Sequence, residues 1–298
     1  MQNTFSSPVV VCRPALPNDA PDVLEFTKFI WEGHDYIKYV WEDWLADPKG
    51  LLAVAEYAGH AVGLGKVTWI APGQWWLEGL RVDPRYQGLK ISSHIFEYLD
   101  GWWRENDGGA IRLMTSSERV QVHHLSERLG YEKLGEVKTY SAEAESGEAD
   151  GFEQVRAEDV KQAAEFAARR LDDFNGLMDS GWKFSEPDEA ALKEKAEEGK
   201  LQWWHKNLRS QPAHSRAGLI AYWEDEDDGQ RVMGIGFAAV SRESLKEMLA
   251  DARRLAQRLG FARVMWLAPA KPWVQEALRE ADFVSLWEGS AYLYGKGQ

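Results

Sequence analysis

The sequence predicts an α/β fold built twice in tandem, and three observations carry that reading. The stretch from Trp75 to Asp100 changes period: residues 77–82 read as a strand stopped at Asp83-Pro84, after which Ile91, Ile95, Tyr98 or Leu99, and Trp102 recur at helical spacing. Around it, residues 1–140 give strand and helix signals in the order β-α-β-β-β-α-β-α-β. After residue 151 a similar run of helix, hairpin, helix, strand and helix signals returns.

Taken in order, residues 9–13 form an apolar strand entered after Pro8, and Asn18 or Asp19 is placed to cap a helix through Val23, Phe26 and Ile30. Residues 31–47 continue as an aromatic segment holding Trp31, Tyr36, Tyr39, Trp41 and Trp44. Residues 51–57 and 61–69 make a hairpin joined at Ala58-Gly59-His60. In the next strand Leu77, Gly79 and Arg81 alternate with Glu78, Leu80 and Val82, and a helix over 91–105 ends where Asp107-Gly108-Gly109 breaks the pattern. A strand over 111–115, a helix over 120–129 closed by Gly130, and a strand over 131–140 complete the first half.

The small, acidic residues 141–151 read as a linker between a domain of residues 1–140 and one of residues 152–298. The second domain is expected to hold a helix through Val160, Ala164 and Phe166, a hairpin of 219–223 and 232–240, a helix through Leu245 and Leu259, a strand over 263–267, a helix from Pro272 and strands ending at Tyr294. Ser244 and Glu247 stand at capping-box spacing, and the acidic run from Glu224 to Asp228 before Gly229 reads as a solvated hairpin tip.

Composition narrows the function classes. A formal net charge of −13 opposes nucleic acid and anionic membrane surfaces, and no apolar run reaches the roughly 20 residues that span a bilayer. With no signal-like start, the expected location is cytoplasmic. The single Cys12, in an apolar strand, reads as an inert thiol, and the seven histidines show no zinc spacing, so no metal is expected. The paired tryptophans at 75–76, 102–103 and 203–204 read as packing residues.

The turn after Val82 carries the chemistry. A strand delivered through a glycine-bearing turn onto a helix N-terminus aims several backbone N–H groups, and the positive end of the helix, at one point, which suits a phosphate. Gln87, Gly88, Leu89, Lys90, Ile91 and Ser92 form that turn. The run Val82-Asp83-Pro84-Arg85-Tyr86-Gln87-Gly88-Leu89-Lys90-Ile91 resembles the acetyl-CoA signature of the GNAT N-acetyltransferase superfamily. In that family [RQ]-x-x-G-x-[GA] wraps the cofactor pyrophosphate; here Gln87 opens the pattern, Lys90 stands at its glycine and Ser92 at its last small residue. Lys90 could serve as a cation beside the pyrophosphate or the 3′-phosphate.

The resemblance implies a mixed, mostly antiparallel sheet flanked by helices, with acetyl-CoA lying along Leu80, Arg81 and Val82 and pairing with their backbone. It implies Glu78 as general base towards a small primary amine, possibly an amino acid, with Trp31, Glu32, Asp35 and Tyr36 walling the acceptor pocket. These aromatic residues equally fit packing of the first helix onto the sheet. Leu125-Ser126-Glu127-Arg128-Leu129-Gly130-Tyr131 resembles the family's L-Y-x-K-L-G-F phrase, with Ser126 where a tyrosine often protonates the departing thiolate. The wording of residues 31–36, the hairpin of residues 51–69 and residues 77–82 together looks like the histidine N-acetyltransferase branch. The second domain has no glycine-bearing loop before its helix and is expected to shape or cover the first domain's pocket in a monomer or homodimer. The alternative is a GNAT-like binding protein that senses acyl-CoA without turnover.

Overall fold

The computed structural model describes residues 9–148, 151–170, 175–206 and 216–297. In chain order its elements are β1 (Val11–Pro14), α1 (Ala20–Thr27), α2 (Ile37–Ala46), β2 (Leu51–Tyr57), β3 (His60–Ala71), β4 (Gln74–Val82), α3 (Ile91–Glu105), β5 (Ala110–Ser116), α4 (Val120–Arg128), β6 (Glu132–Glu143), β7 (Phe152–Gln154) and α5 (Val160–Ala168). There follow β8 (Met178–Asp179), β9 (Phe184–Ser185), α6 (Glu189–Glu197), β10 (Leu201–His205), β11 (Arg216–Asp227), β12 (Gln230–Val240), α7 (Arg242–Arg258), β13 (Arg263–Pro269), α8 (Pro272–Glu280), β14 (Val284–Ser285) and β15 (Ala291–Lys296). They gather into two compact units, one of Met1–Leu113, Gln121–Glu132 and Gly295–Gln298, the other of Met114–Val120 and Lys133–Tyr294. Each is a mostly antiparallel sheet flanked by helices, the expected fold class. Part of the expected linker, residues 149–150, lies outside the described residues.

In the first unit the strands run β1-β2-β3-β4-β5, antiparallel except for the β4–β5 pair. The apolar residues of β2 are buried on both faces because helices cover both. Val23 and Phe26 of α1 and Ile37, Trp41 and Trp44 of α2 pack with Leu52, Val54 and Leu64. Each such side chain contributes about 1.5–3 kcal/mol by leaving water. On α3 the buried stripe is Ile91, Ile95, Leu99 and Trp103, while Trp102 meets Trp75 edge-on at 5.8 Å. Helix α1 stops at Thr27, whose hydroxyl donates back to the Val23 carbonyl at 2.9 Å, so Ile30 falls outside it. Cys12 is partly exposed in β1, and burial, aided by the nearby charge of Glu97, pushes its thiol up to about 11.

Strand β4 does not alternate as the sequence suggests. Gly79 takes φ +69, and Leu64 pairs with Arg81 whereas Lys66 pairs with Glu78, so β4 carries an extra residue opposite β3. A Cβ at position 79 would lie 2.6 Å from the Trp44 ring. Because residues directly opposite share a face, Glu78 and Arg81 come to the same side of the sheet, where regular alternation separates them. The parallel β4–β5 ladder ends at Trp76 opposite Arg112, and β4 runs on to Val82, leaving the two strands forked.

The second unit has the order β7-β10-β11-β12-β13-β6, with β14 also paired to β6. Alternation along β10 sends Trp203 into a core with α5 and α6, and Trp204 into a core with α7 and α8. Both tryptophans are packing residues, and Trp204 Nε1 donates to Asp251 at 2.7 Å. The buried positions of α5 are Val160, Ala163 and Ala167, one step round from the expected stripe. Helix α7 starts at Arg242 behind Ser241, which places Ser244 inside the helix, so the capping box of Ser244 and Glu247 does not form. Glu247 pairs with Lys206 at 3.0 Å instead. The acidic run lies at a hairpin tip, as expected, turning at Asp228-Gly229 with φ +51 and +74. Among the described residues no helix is long and apolar enough to cross a membrane.

Candidate active site

The turn between β4 and α3 begins at Asp83, which caps a short 3-10 turn over Pro84–Tyr86 by accepting from the Arg85 N–H at 2.9 Å. Burial pushes the Asp83 carboxyl up, but bonds from the Arg85 side chain and backbone outweigh it and hold the carboxyl below its ordinary range. Gln87, Gly88, Leu89 and Lys90 are exposed, Gly88 has φ +87 and Lys90 φ +54. Lys90 precedes α3 without a side-chain cap, and no acidic residue stands in the first turn, so no side chain caps the turn carrying the Ile91 and Ser92 N–H groups.

The left-handed backbone of Lys90 explains why the family pattern puts glycine there: a β-carbon in this region costs roughly 1–2 kcal/mol. Lys90→Gly should therefore raise the free energy of unfolding by up to about 1 kcal/mol, whereas Lys90→Ala, which keeps Cβ, should not. Chemical denaturation of the two variants checks this.

On the face of β4 that carries Glu78 and Arg81, Glu78 Oε1 accepts from Thr68 Oγ1 at 2.5 Å. Arg81 donates from Nε to Asp35 at 2.7 Å and from Nη1 to the Leu80 carbonyl at 3.2 Å. Its guanidinium lies 4.2 Å from the Trp31 ring centre and 5.3 Å from that of Tyr36. Asp35 is 3% exposed and also accepts from the Ile37 N–H at the start of α2. Burial, helped by the charges of Glu78 and Asp35 and opposed by Arg81, pushes the Tyr36 hydroxyl up to about 12, so it stays protonated at neutral pH.

The structure thus brings Trp31, Asp35, Tyr36 and Glu78 together; the side chain of Glu32 lies outside the described residues. Arg81, expected on the cofactor side, keeps its backbone in β4 but turns its side chain to Trp31, Asp35 and Tyr36. Leu80 and Val82 are half-buried beside it. Ser126 is fully buried and its Oγ donates to the Val122 carbonyl at 2.8 Å, so its hydroxyl is turned into its own helix.

Two neighbours were missed in the sequence. Thr68 has no signal of its own there, since its partner is set by pairing of β3 with β4. Lys66 does: a lysine inside the apolar run of β3 must find a charge, and it donates to Asp47 and, at 2.9 Å, to the Val67 carbonyl while wholly buried. Burial raises the Asp47 carboxyl, yet the bonds from Lys66 and the Lys49 N–H hold it below its usual range.

In the second unit β12 and β13 fork in the same way: their ladder ends at Ile235 opposite Trp266, and a bulge at Gly236 interrupts β12. Here the fork is filled. A small cavity remains between Gly236, Phe237 and Leu267, closed by Asn175, Leu177 and Phe184 from the segment containing β8 and β9. A Cβ at position 236 would come within 2.1 Å of the Asp179 carbonyl. Only Ser241 separates β12 from α7.

Residues 20–131 match the acetyltransferase (GNAT) family, and the chain carries a domain of that family. Among curated proteins none matches the sequence. Solved structures similar over the whole chain include a GCN5-related N-acetyltransferase from Sphaerobacter thermophilus, at 15% identity and TM-score 0.62, with 96% of this chain and 95% of that one covered. A tandem GNAT protein from the clavulanic acid biosynthesis pathway aligns at 12% identity and TM-score 0.54, covering 96% and 98%. The glucosamine N-acetyltransferase region of a fungal multi-domain GH3 β-N-acetylglucosaminidase aligns at 13% and TM-score 0.66, over 99% of this chain and 39% of that one. At these identities the likeness is one of fold.

Proposed function

We propose that the first unit is an acetyl-CoA-dependent N-acetyltransferase acting on a small primary amine, with amino acids among its acceptors. The observation that carries this reading is the placement of Glu78 on the forked part of β4, whose other end leads into the uncapped N-terminus of α3. Backbone N–H groups of the turn from Gln87 to Ser92, with Lys90 beside them, would hold the pyrophosphate. The open edge of β4 at Leu80, Arg81 and Val82 would align the thioester by backbone pairing.

Acetyl-CoA supplies the acyl group. The amine arrives as an ammonium, and Glu78 takes its proton so that the nitrogen lone pair can attack the thioester carbon. As the C–N bond formed and the C–S bond broke, the second proton of the nitrogen would pass to solvent, and because Ser126 faces its own helix, solvent would also supply the proton taken up by the thiolate. The second unit is read as a GNAT-like copy without a cofactor loop, its fork plugged by its own chain and its role structural. A chain that binds CoA without turnover is the second reading, favoured by the inward turn of Ser126.

Calorimetry with CoA followed by free-thiol release from acetyl-CoA across an amine panel tests the proposal. One CoA per chain with thiol release on at least one amine is the expected result. Absence of CoA binding sinks the enzyme, binding without release on a broad panel favours the sensor, and two equivalents per chain overturn the reading of the second unit. Gly88→Pro should abolish CoA binding, because proline cannot adopt φ +87 at an exposed turn where a Cβ would otherwise meet nothing.

A further inference from the structure

We propose that Arg81 reads a carboxylate on the acceptor, so that the acceptor is an amino acid or another amine carrying an acid group, and that Trp31 covers this arginine when the site is empty. The inference rests on the acetyl-transfer reading of the same site and names its substrate class.

The hydrogen-bond inventory of Arg81 is incomplete. Nε goes to Asp35 and Nη1 to the Leu80 carbonyl, while Nη2 is buried and, among the described residues, no acceptor completes a hydrogen bond to it, the Tyr36 hydroxyl being the nearest polar group of the wall. A guanidinium nitrogen withdrawn from water without an acceptor is costly, and a ligand oxygen removes that cost. Asp35 takes the Nε edge, is itself buried and is tied to the Ile37 N–H, so it fixes the guanidinium without reaching Nη2.

The bulge at Gly79 then gives the site its shape. Glu78 and Arg81 sit opposite Lys66 and Leu64, two residues apart on β3 and hence about 7 Å along the strand, on one face. A negative and a positive side chain at that spacing, both long enough to converge, match the ammonium and carboxylate of one zwitterion: the ammonium faces its base and the carboxylate faces Nη2. A plain amine uses only the first half of the arrangement.

Trp31 supplies the cover. Its ring lies over the guanidinium, it is 48% exposed, and its backbone holds φ +49, a left-handed conformation unfavourable for a residue with a β-carbon. A half-exposed ring on a strained backbone, held by a cation–π contact, can be displaced by a carboxylate that makes a charge-assisted bond to the same group.

The test uses the full chain, acetyl-CoA and pairs of acceptors, each common α-amino acid against the amine left by its decarboxylation. For the accepted side chain the amino acid should exceed its amine in kcat/KM by roughly 10- to 100-fold, the worth of one hydrogen bond to a charged group, with most of the difference in KM. Arg81→Gln should bring that ratio towards one, and Arg81→Lys should restore part of it. Independently of turnover, the amino acid but not the amine should change tryptophan fluorescence, and Trp31→Phe should lose the change. Thiol release that ignores the carboxylate overturns this inference and leaves acetyl transfer standing. A carboxylate-dependent fluorescence change without thiol release supports the role of Arg81 while overturning acetyl transfer. Neither signal overturns both.

Discussion

Glu78→Gln should lower kcat by about two to four powers of ten while CoA affinity stays nearly unchanged. The substitution keeps the acceptor oxygen that Thr68 Oγ1 donates to, so the side chain can stay in place; what it removes is the group able to take the ammonium proton. Glu78 is on the forked part of β4, past the last rung of the β4–β5 ladder at Trp76. Raising the pH should recover part of the lost rate, because the amine then reaches the site already neutral. Steady-state kinetics over a pH series, with calorimetry for CoA, separates the cases. Wild-type turnover by the variant at every pH would place the base elsewhere, and Asp35, engaged by Arg81, is the remaining described carboxylate of the wall.

The elements around this site were legible because they follow local periodicity. β2 and α3 fall on the residues read from the sequence, Leu51–Tyr57 and Ile91–Glu105, since the first is a continuous apolar run bounded by turn residues and the second has an apolar stripe starting just after a turn. The bulge was not legible. Period-two reading places Glu78 and Arg81 on opposite faces, and only pairing with β3, a non-local event, shows that Gly79 is the extra residue.

Helix α7 shows the same limit at an end: its first turn, Arg242 and Glu243, carries no apolar residue, so the stripe becomes visible only at Leu245 and the cap is misplaced. For Ser126 its place in the family phrase suggested chemistry, but a serine inside a helix commonly bonds to the carbonyl four residues back, and it does so here. Strand β10 hid because Trp203 and Trp204 are both buried, and a strand covered by helices on both faces shows no alternation to read.

Asp179→Asn should stabilise the second unit at neutral pH and leave it unchanged in acid. Asp179 is 2% exposed, and among the described residues neither of its carboxylate oxygens, nor the Trp223 Nε1, is in full hydrogen-bond geometry, although the N–H groups of Trp182, Lys183 and Gly181 and the Trp223 indole lie near the carboxylate. Burial pushes its carboxyl from 3.8 up to about 7, although the Trp182, Lys183 and Gly181 backbone and the Trp223 indole pull the other way. The folded pKa is thus raised above that of the unfolded chain. Below about 4 both states hold the proton and the group contributes nothing. Between about 4 and 7 the unfolded chain gives its proton up while the folded one keeps it, so stability falls as the pH rises, and above about 7 the loss is complete. The gap is worth roughly 4 kcal/mol at 1.36 kcal/mol for each tenfold step. Asparagine has nearly the same shape and no charge to desolvate. Thermal unfolding of the full chain should show the transition of this unit rising by about 8–16 °C above pH 7, at about 2–4 °C per kcal/mol for a unit of this size, with no difference near pH 4. A variant less stable than the parent at neutral pH would mean that the surrounding N–H groups bind the carboxylate well enough to offset its burial.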